Sequence, residues 1–134
     1  MMETIMDEAK ELAKKLLGSK SSCYNELKDI PRKRGVYVIY NKKGKIIYVG
    51  ESNKLKVRLL SDHISGESKI STSTFRKKLT KEPFNLQSGQ EMLKWIKDNC
   101  SFCWIEIMDK DICHVTEAFL ISYLRKKGEP LLNI

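Results

Sequence analysis

Two tyrosines eleven positions apart, Tyr37 and Tyr48, close and open two short strings, Gly35-Val36-Tyr37 and Tyr48-Val49-Gly50. A phenol can donate or accept a hydrogen bond, but its free pKa of about 10 makes it a poor base at neutral pH unless a positive neighbour helps it. Arg58 could give such help, and its planar fork of donors suits phosphate oxygens. These residues lie in the most asymmetrically charged part of the chain: residues 31–81 hold fourteen Lys or Arg against three Asp or Glu, within a net charge of +8. Such a stretch lowers the cost of approaching a polyanion, because Lys and Arg contacts to phosphates release condensed counterions. Lys54, Lys56, Arg76, Lys77, Lys78 and Lys81 are the candidate contacts. A merely soluble charged surface is the plainer alternative.

Sulfur offers a second chemistry. Cys100-x-x-Cys103 followed by Cys113-His114 has donors enough for a tetrahedral zinc site. Cys103 lies on a predicted strand and Cys113 opens a predicted helix, so buried reduced thiols account for them more simply, and zinc is the weaker reading.

The tyrosines need a scaffold that brings them together. Residues 35–40 and 45–50 are rich in β-branched and aromatic side chains and are separated by Asn41-Lys42-Lys43-Gly44, which predicts a hairpin closed by a type I turn. In that register Tyr40 pairs with Lys45, and Tyr37 lies directly opposite Tyr48 on one face, about 5 Å apart at Cβ. Val36, Val38, Ile47 and Val49 are expected on the other face, so both faces are apolar and the sheet should be covered on both sides. After Gly50, Ser52 or Asn53 can cap a helix through about His63 that carries Arg58 and buries Leu55, Leu59 and Leu60, with Gly66 beyond its end.

Further helices are predicted over 71–79, with Phe75 and Leu79 inward and Arg76, Lys77 and Lys78 exposed, over 87–99 on Met92, Leu93, Trp95 and Ile96, and over 113–127. A third strand is predicted over 102–108. The chain opens with an amphipathic helix over 1–18, whose acids Glu3, Asp7, Glu8 and Glu11 precede Lys14 and Lys15 as the helix dipole favours. At 134 residues and 41% hydrophobic composition, one domain with a real core is expected: 1–30 as helix and connector, 31–134 as the functional core. No run approaches the roughly 20 apolar residues needed to cross a bilayer, and no secretory layout opens the chain, so a soluble, cytoplasmic protein without a membrane partner is expected.

The ordered set of Gly35-Val36-Tyr37, Tyr48-Val49-Gly50, Arg58 on a helix, Glu117 on a late helix and Asn133 near the end resembles the GIY-YIG nuclease superfamily over residues 31–134. Each tripeptide alone is weak; the order is specific. The resemblance implies an α/β fold of the α+β type, a small, mainly antiparallel three-stranded sheet flanked by helices, to which the N-terminal helix is an addition. It also implies a metal-dependent endonuclease acting on DNA. In that reading Tyr37 is the general base, helped by Arg58, the metal or His63, and Tyr48 hydrogen-bonds the phosphate or the attacking water. Arg58 offsets developing charge, Glu117 holds one divalent cation, Mg²⁺ or Mn²⁺, and Asn133 braces the site. His63 matches less well, since five helical steps set it about 140° around the axis from Arg58. Cutting both strands from one site requires a dimer or sequential nicking. Two competitors remain, a catalytically silent nucleic-acid-binding module and a nuclease acting on RNA.

Overall fold

Val36, Tyr37, Val38 and Ile39 present apolar groups on both sides of a strand, and the fold covers both. The computed structural model describes residues 2–59, 74–87 and 89–133. In it β1 (Gly35–Tyr40) is the middle strand of three, flanked by β2 (Ile46–Ser52) and β3 (Ser101–Glu106), both antiparallel to it. On one face Tyr37, Ile39, Tyr48 and Phe102 pack under Leu55 and Leu59 of a helical segment over 55–59, Phe75 and Leu79 of α2 (Thr74–Leu79), and Met92 and Ile96 of α3 (Gln90–Asn99). On the other, Val36, Val38, Ile46 and Val49 pack under Ala13 and Leu16 of α1 (Met2–Leu17) and Cys113, Leu120 and Leu124 of α4 (Lys110–Lys126). This is the expected α+β arrangement, with α1 lying on α4 and β3.

Gly35 is required where β1 meets its neighbours. A Cβ there would overlap the Ile105 carbonyl oxygen of β3 and the Leu55 side chain. The first tripeptide therefore begins with glycine for close backbone approach.

The hairpin register differs from the expected one. Asn41 Oδ1 accepts from the N–H groups of Lys43 and Lys45, both at 3.0 Å, and Asn41 N–H donates to the Lys45 carbonyl at 2.8 Å. The turn thus closes on Asn41 and Lys45, with Gly44 at φ 79° taking the left-handed conformation that makes it the extra residue of a bulged turn. A second irregularity between Ile39 and Tyr40 adds another residue to β2. The two insertions place Tyr37 opposite Gly50 and Tyr48 opposite Ile39, which corrects the expected Tyr37–Tyr48 rung to a diagonal. Because the shift is even, both rings stay on one face. Ile47, at the second irregularity, packs with the tyrosine cluster instead of the valines, and Ile46 takes the valine side.

Two helices also depart from expectation. α4 starts at Lys110, before Cys113, because Asp109 caps it by accepting from the N–H groups of Asp111 and Ile112 at 2.9 and 3.0 Å. Its buried stripe is Cys113, Thr116, Leu120 and Leu124, while Ala118 is exposed. In α2 the expectation that Arg76 is exposed is overturned: it is 1% exposed. Phe75, Arg76 and Leu79 span about 100° of helix arc, so one face takes all three inward and leaves Lys77 and Lys78 outside. Leu60, Asp62, His63 and Gly66 lie outside the described residues, as does the opening of the helix expected over 71–79.

Candidate active site

β2 is an edge strand, and its odd-numbered residues turn their backbone groups away from β1. An uncovered edge would leave these groups unpaired. Here they are met one after another. The Ile47 carbonyl accepts from Leu132 N–H at 2.7 Å. Val49 is held at both ends by the Asn133 amide, which accepts from its N–H at 2.9 Å and donates to its carbonyl. Glu51 N–H donates to the Glu117 carboxylate. The chain end and α4 therefore close one edge, and in doing so place Asn133 and Glu117 beside Tyr48.

The two tyrosine rings stack across their diagonal, with centroids 6.3 Å apart and planes 28° from parallel. Tyr37 is 2% exposed and Tyr48 9%. A Cβ on Gly50 would overlap the Tyr37 ring and hydroxyl, so the second tripeptide ends in glycine because the first one's tyrosine lies on its backbone. Tyr48 also touches Phe75, 5.4 Å between centroids, and hydrogen-bonds the Thr74 side chain. Burial pushes the Tyr48 phenol above its ordinary pKa; the Thr74 bond pulls it back, Glu117 raises it and the Arg58 guanidinium lowers it. Arg58 is half-buried on the 55–59 helical segment. Tyr48 thus lies within electrostatic reach of both Arg58 and Glu117.

Glu117 is half-buried on α4. Burial raises its pKa and the nearby Glu51 charge raises it further, while His114 and the bond from Glu51 N–H act the other way. Glu51 points to the α4 side of the sheet, where its Oε1 contacts His114 Nδ1 and its charge helps to raise the pKa of the Cys113 thiol. Its Oε2 is buried with no hydrogen-bond partner among the described residues. Among those residues no three His, Cys, Asp or Glu side chains converge as a metal cage. Glu117, half-buried on α4, instead offers the hard oxygen donors of one carboxylate. That suits a divalent cation of the Mg²⁺ kind, which takes one or two carboxylates and fills its shell with water and phosphate oxygens.

The cysteine set does not assemble. Cys100 packs with the tyrosine-side cluster, Cys103 and Cys113 with the valine-side one. Burial lifts the Cys100 thiol to about 12, and burial with the Glu51 charge lifts Cys113 to about 12. Of the basic candidates, Lys54, Lys77 and Lys81 are exposed and Lys56 and Lys78 half-exposed, while Arg76 is part of the core.

A family model described as the GIY-YIG catalytic domain matches residues 33–129, most of the chain. The chain belongs to the GIY-YIG family. A nuclease-type function follows from that membership. The UvrABC system protein C of Campylobacter jejuni subsp. jejuni is 44% identical to this GIY-YIG chain over 43 residues, 32% of this chain and 7% of that protein. The UvrABC system protein C of Methanosphaera stadtmanae is 52% identical over 33 residues, 25% of this chain and 6% of that protein. The matched part is thus a small fraction of either relative's length.

The site of this GIY-YIG domain also holds two residues that sequence reasoning did not place there, Glu51 and His114. Glu51 carried a signal, being one of three acids in the basic stretch 31–81 and the residue directly after the second tripeptide. His114 was visible only as a zinc candidate. His63, expected near Arg58, lies outside the described residues.

Proposed function

We propose that this chain is an endonuclease that hydrolyses DNA phosphodiester bonds with a divalent cation, Mg²⁺ or Mn²⁺, held by Glu117. The observation that supports the reading is that Tyr48, at the closed edge of β2, lies within electrostatic reach of both Arg58 and Glu117. When bound, the cation supplies Lewis-acid polarisation of the phosphate and stabilises the leaving oxygen. Arg58 places its donor fork on the phosphate and offsets the charge that develops there. Tyr48, whose burial keeps the phenol protonated, donates a hydrogen bond to the phosphate or the attacking water. Tyr37, once its own phenolic proton has passed to solvent, takes the proton of that water; its hydroxyl lies against Gly50 on β2. Asn133 braces β2 from outside through Val49.

Lys54, Lys56, Lys77, Lys78 and Lys81 hold the polyanion by charge, outside the chemistry. A cytoplasmic setting belongs to this reading, in keeping with four free thiols. The deciding experiment is cleavage of single-stranded, duplex, flap and junction DNA with Mg²⁺, with matched RNA in competition. Cleavage of at least one DNA form is expected, lost with EDTA and in Glu117→Gln and Arg58→Ala. Tight, salt-dependent binding without cutting would identify a binding module instead, and preferential cutting of RNA would change the substrate.

A further inference from the structure

Glu51 belongs to neither tripeptide, yet it is the point at which α4 is fastened to the sheet. It touches three positions of that helix. Its Oε1 contacts His114 Nδ1, its carboxylate lies close enough to the Cys113 thiol to raise that thiol's pKa, and its backbone N–H faces the Glu117 carboxylate. Positions 113, 114 and 117 fall within about 100° of helix arc, one face of α4. A helix laid across a strand by apolar contacts alone can slide or turn by a fraction of a residue at small cost, because such packing is not directional. A polar contact is directional, and the Glu51–His114 pair, with the Glu51 backbone facing Glu117, ties the height and rotation of the helix to the end of β2.

The side-chain contacts matter because Cys113 and His114 lie one turn before Glu117 on the same rigid helix. Moving them moves the carboxylate. His114 in turn is 51% exposed and Glu51 19%, so the pair stands at the rim of the site while Glu51 Oε2 faces inward without a partner among the described residues.

We propose that Glu51 is a positioning residue for Glu117: together with His114 it fixes α4 so that the Glu117 carboxylate stands at the Tyr48 end of the site with the geometry a divalent cation needs. The inference rests on the reading that Glu117 holds that cation. Residues behind a metal ligand commonly account for about 10–100-fold in metal affinity.

The test measures Mn²⁺ binding to the full chain by calorimetry without nucleic acid, beside thermal melting in EDTA and cleavage kinetics. Glu51→Ala should weaken Mn²⁺ binding by about 10-fold or more and lower kcat more than it raises KM, in protein that still melts cooperatively. His114→Ala should weaken binding in the same direction and by less. Glu51→Gln keeps an acceptor for His114 Nδ1 and should restore most of the affinity lost in the alanine variant. Wild-type Mn²⁺ affinity in Glu51→Ala, with only a lowered Tm, would overturn the proposal by making Glu51 a purely structural tie. Glu51→Gln as weak as Glu51→Ala would overturn it too, because charge and not position would then be what Glu51 supplies. Glu117→Gln separates the proposal from its foundation: it should abolish binding, and undiminished binding there would overturn the reading of Glu117 itself.

Discussion

The two faces of the sheet use the same strands for different ends. Val36, Val38 and Val49 meet α1 and α4 through apolar contacts, and what that face needs is volume. Many apolar side chains of the right size would fill it. Tyr37 and Tyr48, on the other face, are just as buried but carry hydroxyls, so they need position as well as volume. Gly50 leaves room for one ring, Thr74 hydrogen-bonds the other, and Arg58 and Glu117 set the charge around it. Replacements of the buried valines should therefore act on stability more than chemistry, and replacements around the tyrosines on chemistry more than stability.

The hardest test of that contrast is Glu117→Gln. It is expected to lower cleavage by at least about 10²-fold, as removal of one group stabilising developing charge commonly does, with no loss of Tm at pH 8. A matching fall in Tm would erase the contrast. Gly50→Ala comes next, because its Cβ would press on the Tyr37 ring; about 1–3 kcal/mol of stability and a clear loss of kcat should go together, measured by urea melts and cleavage rates on the same preparation. Val38→Ala should cost a similar amount, about 1–3 kcal/mol, while the folded fraction keeps its cleavage rate.

Arg76 and Lys77 sharpen the comparison at α2. Arg76→Ala should lower Tm, since that side chain is core, whereas Lys77→Ala should leave Tm alone and weaken DNA binding, reducing the log–log salt slope by about 0.9. The smallest effect concerns pH. The Glu117 pKa is raised in the folded chain by burial and by Glu51, so the native state binds that proton more tightly than the unfolded one. Its contribution to stability is then fully present below the ordinary carboxylate range and is lost as pH rises through the raised value. Glu117→Gln should accordingly gain in Tm relative to the parent across that window and differ least in acid. A gap that widened in acid would reverse the sign assigned to Glu117.

Much of this was legible from residues alone where the cause is local. Alternation and β-branching located the three strands, and helical spacing located α1, α3 and α4 to within a few residues. Apolar periodicity does not register the start of α4, because Asp109 caps it through two hydrogen bonds from backbone N–H groups. The hairpin was found, but its register was not. Gly44 and the irregularity at Ile39 each insert a residue, and which rung absorbs an insertion depends on packing against β3 and the covering helices. Arg76 was placed outside because charge normally goes there; its short helix turned one more position inward than composition suggested.

By itself the sequence determined the α+β class, the shared face of Tyr37 and Tyr48, the family and the acid and base candidates, because propensity, side-chain period and the order of motifs are properties of the chain in one dimension. Only the tertiary structure decided that the tyrosines meet on a diagonal, that Asn133 spans 84 positions to hold Val49, and that Glu51 meets His114 near Glu117. Those facts depend on how α4 and the chain end close an edge strand. The partners are brought together by the demand that buried N–H and C=O groups be paired, and no local pattern records who will pair them.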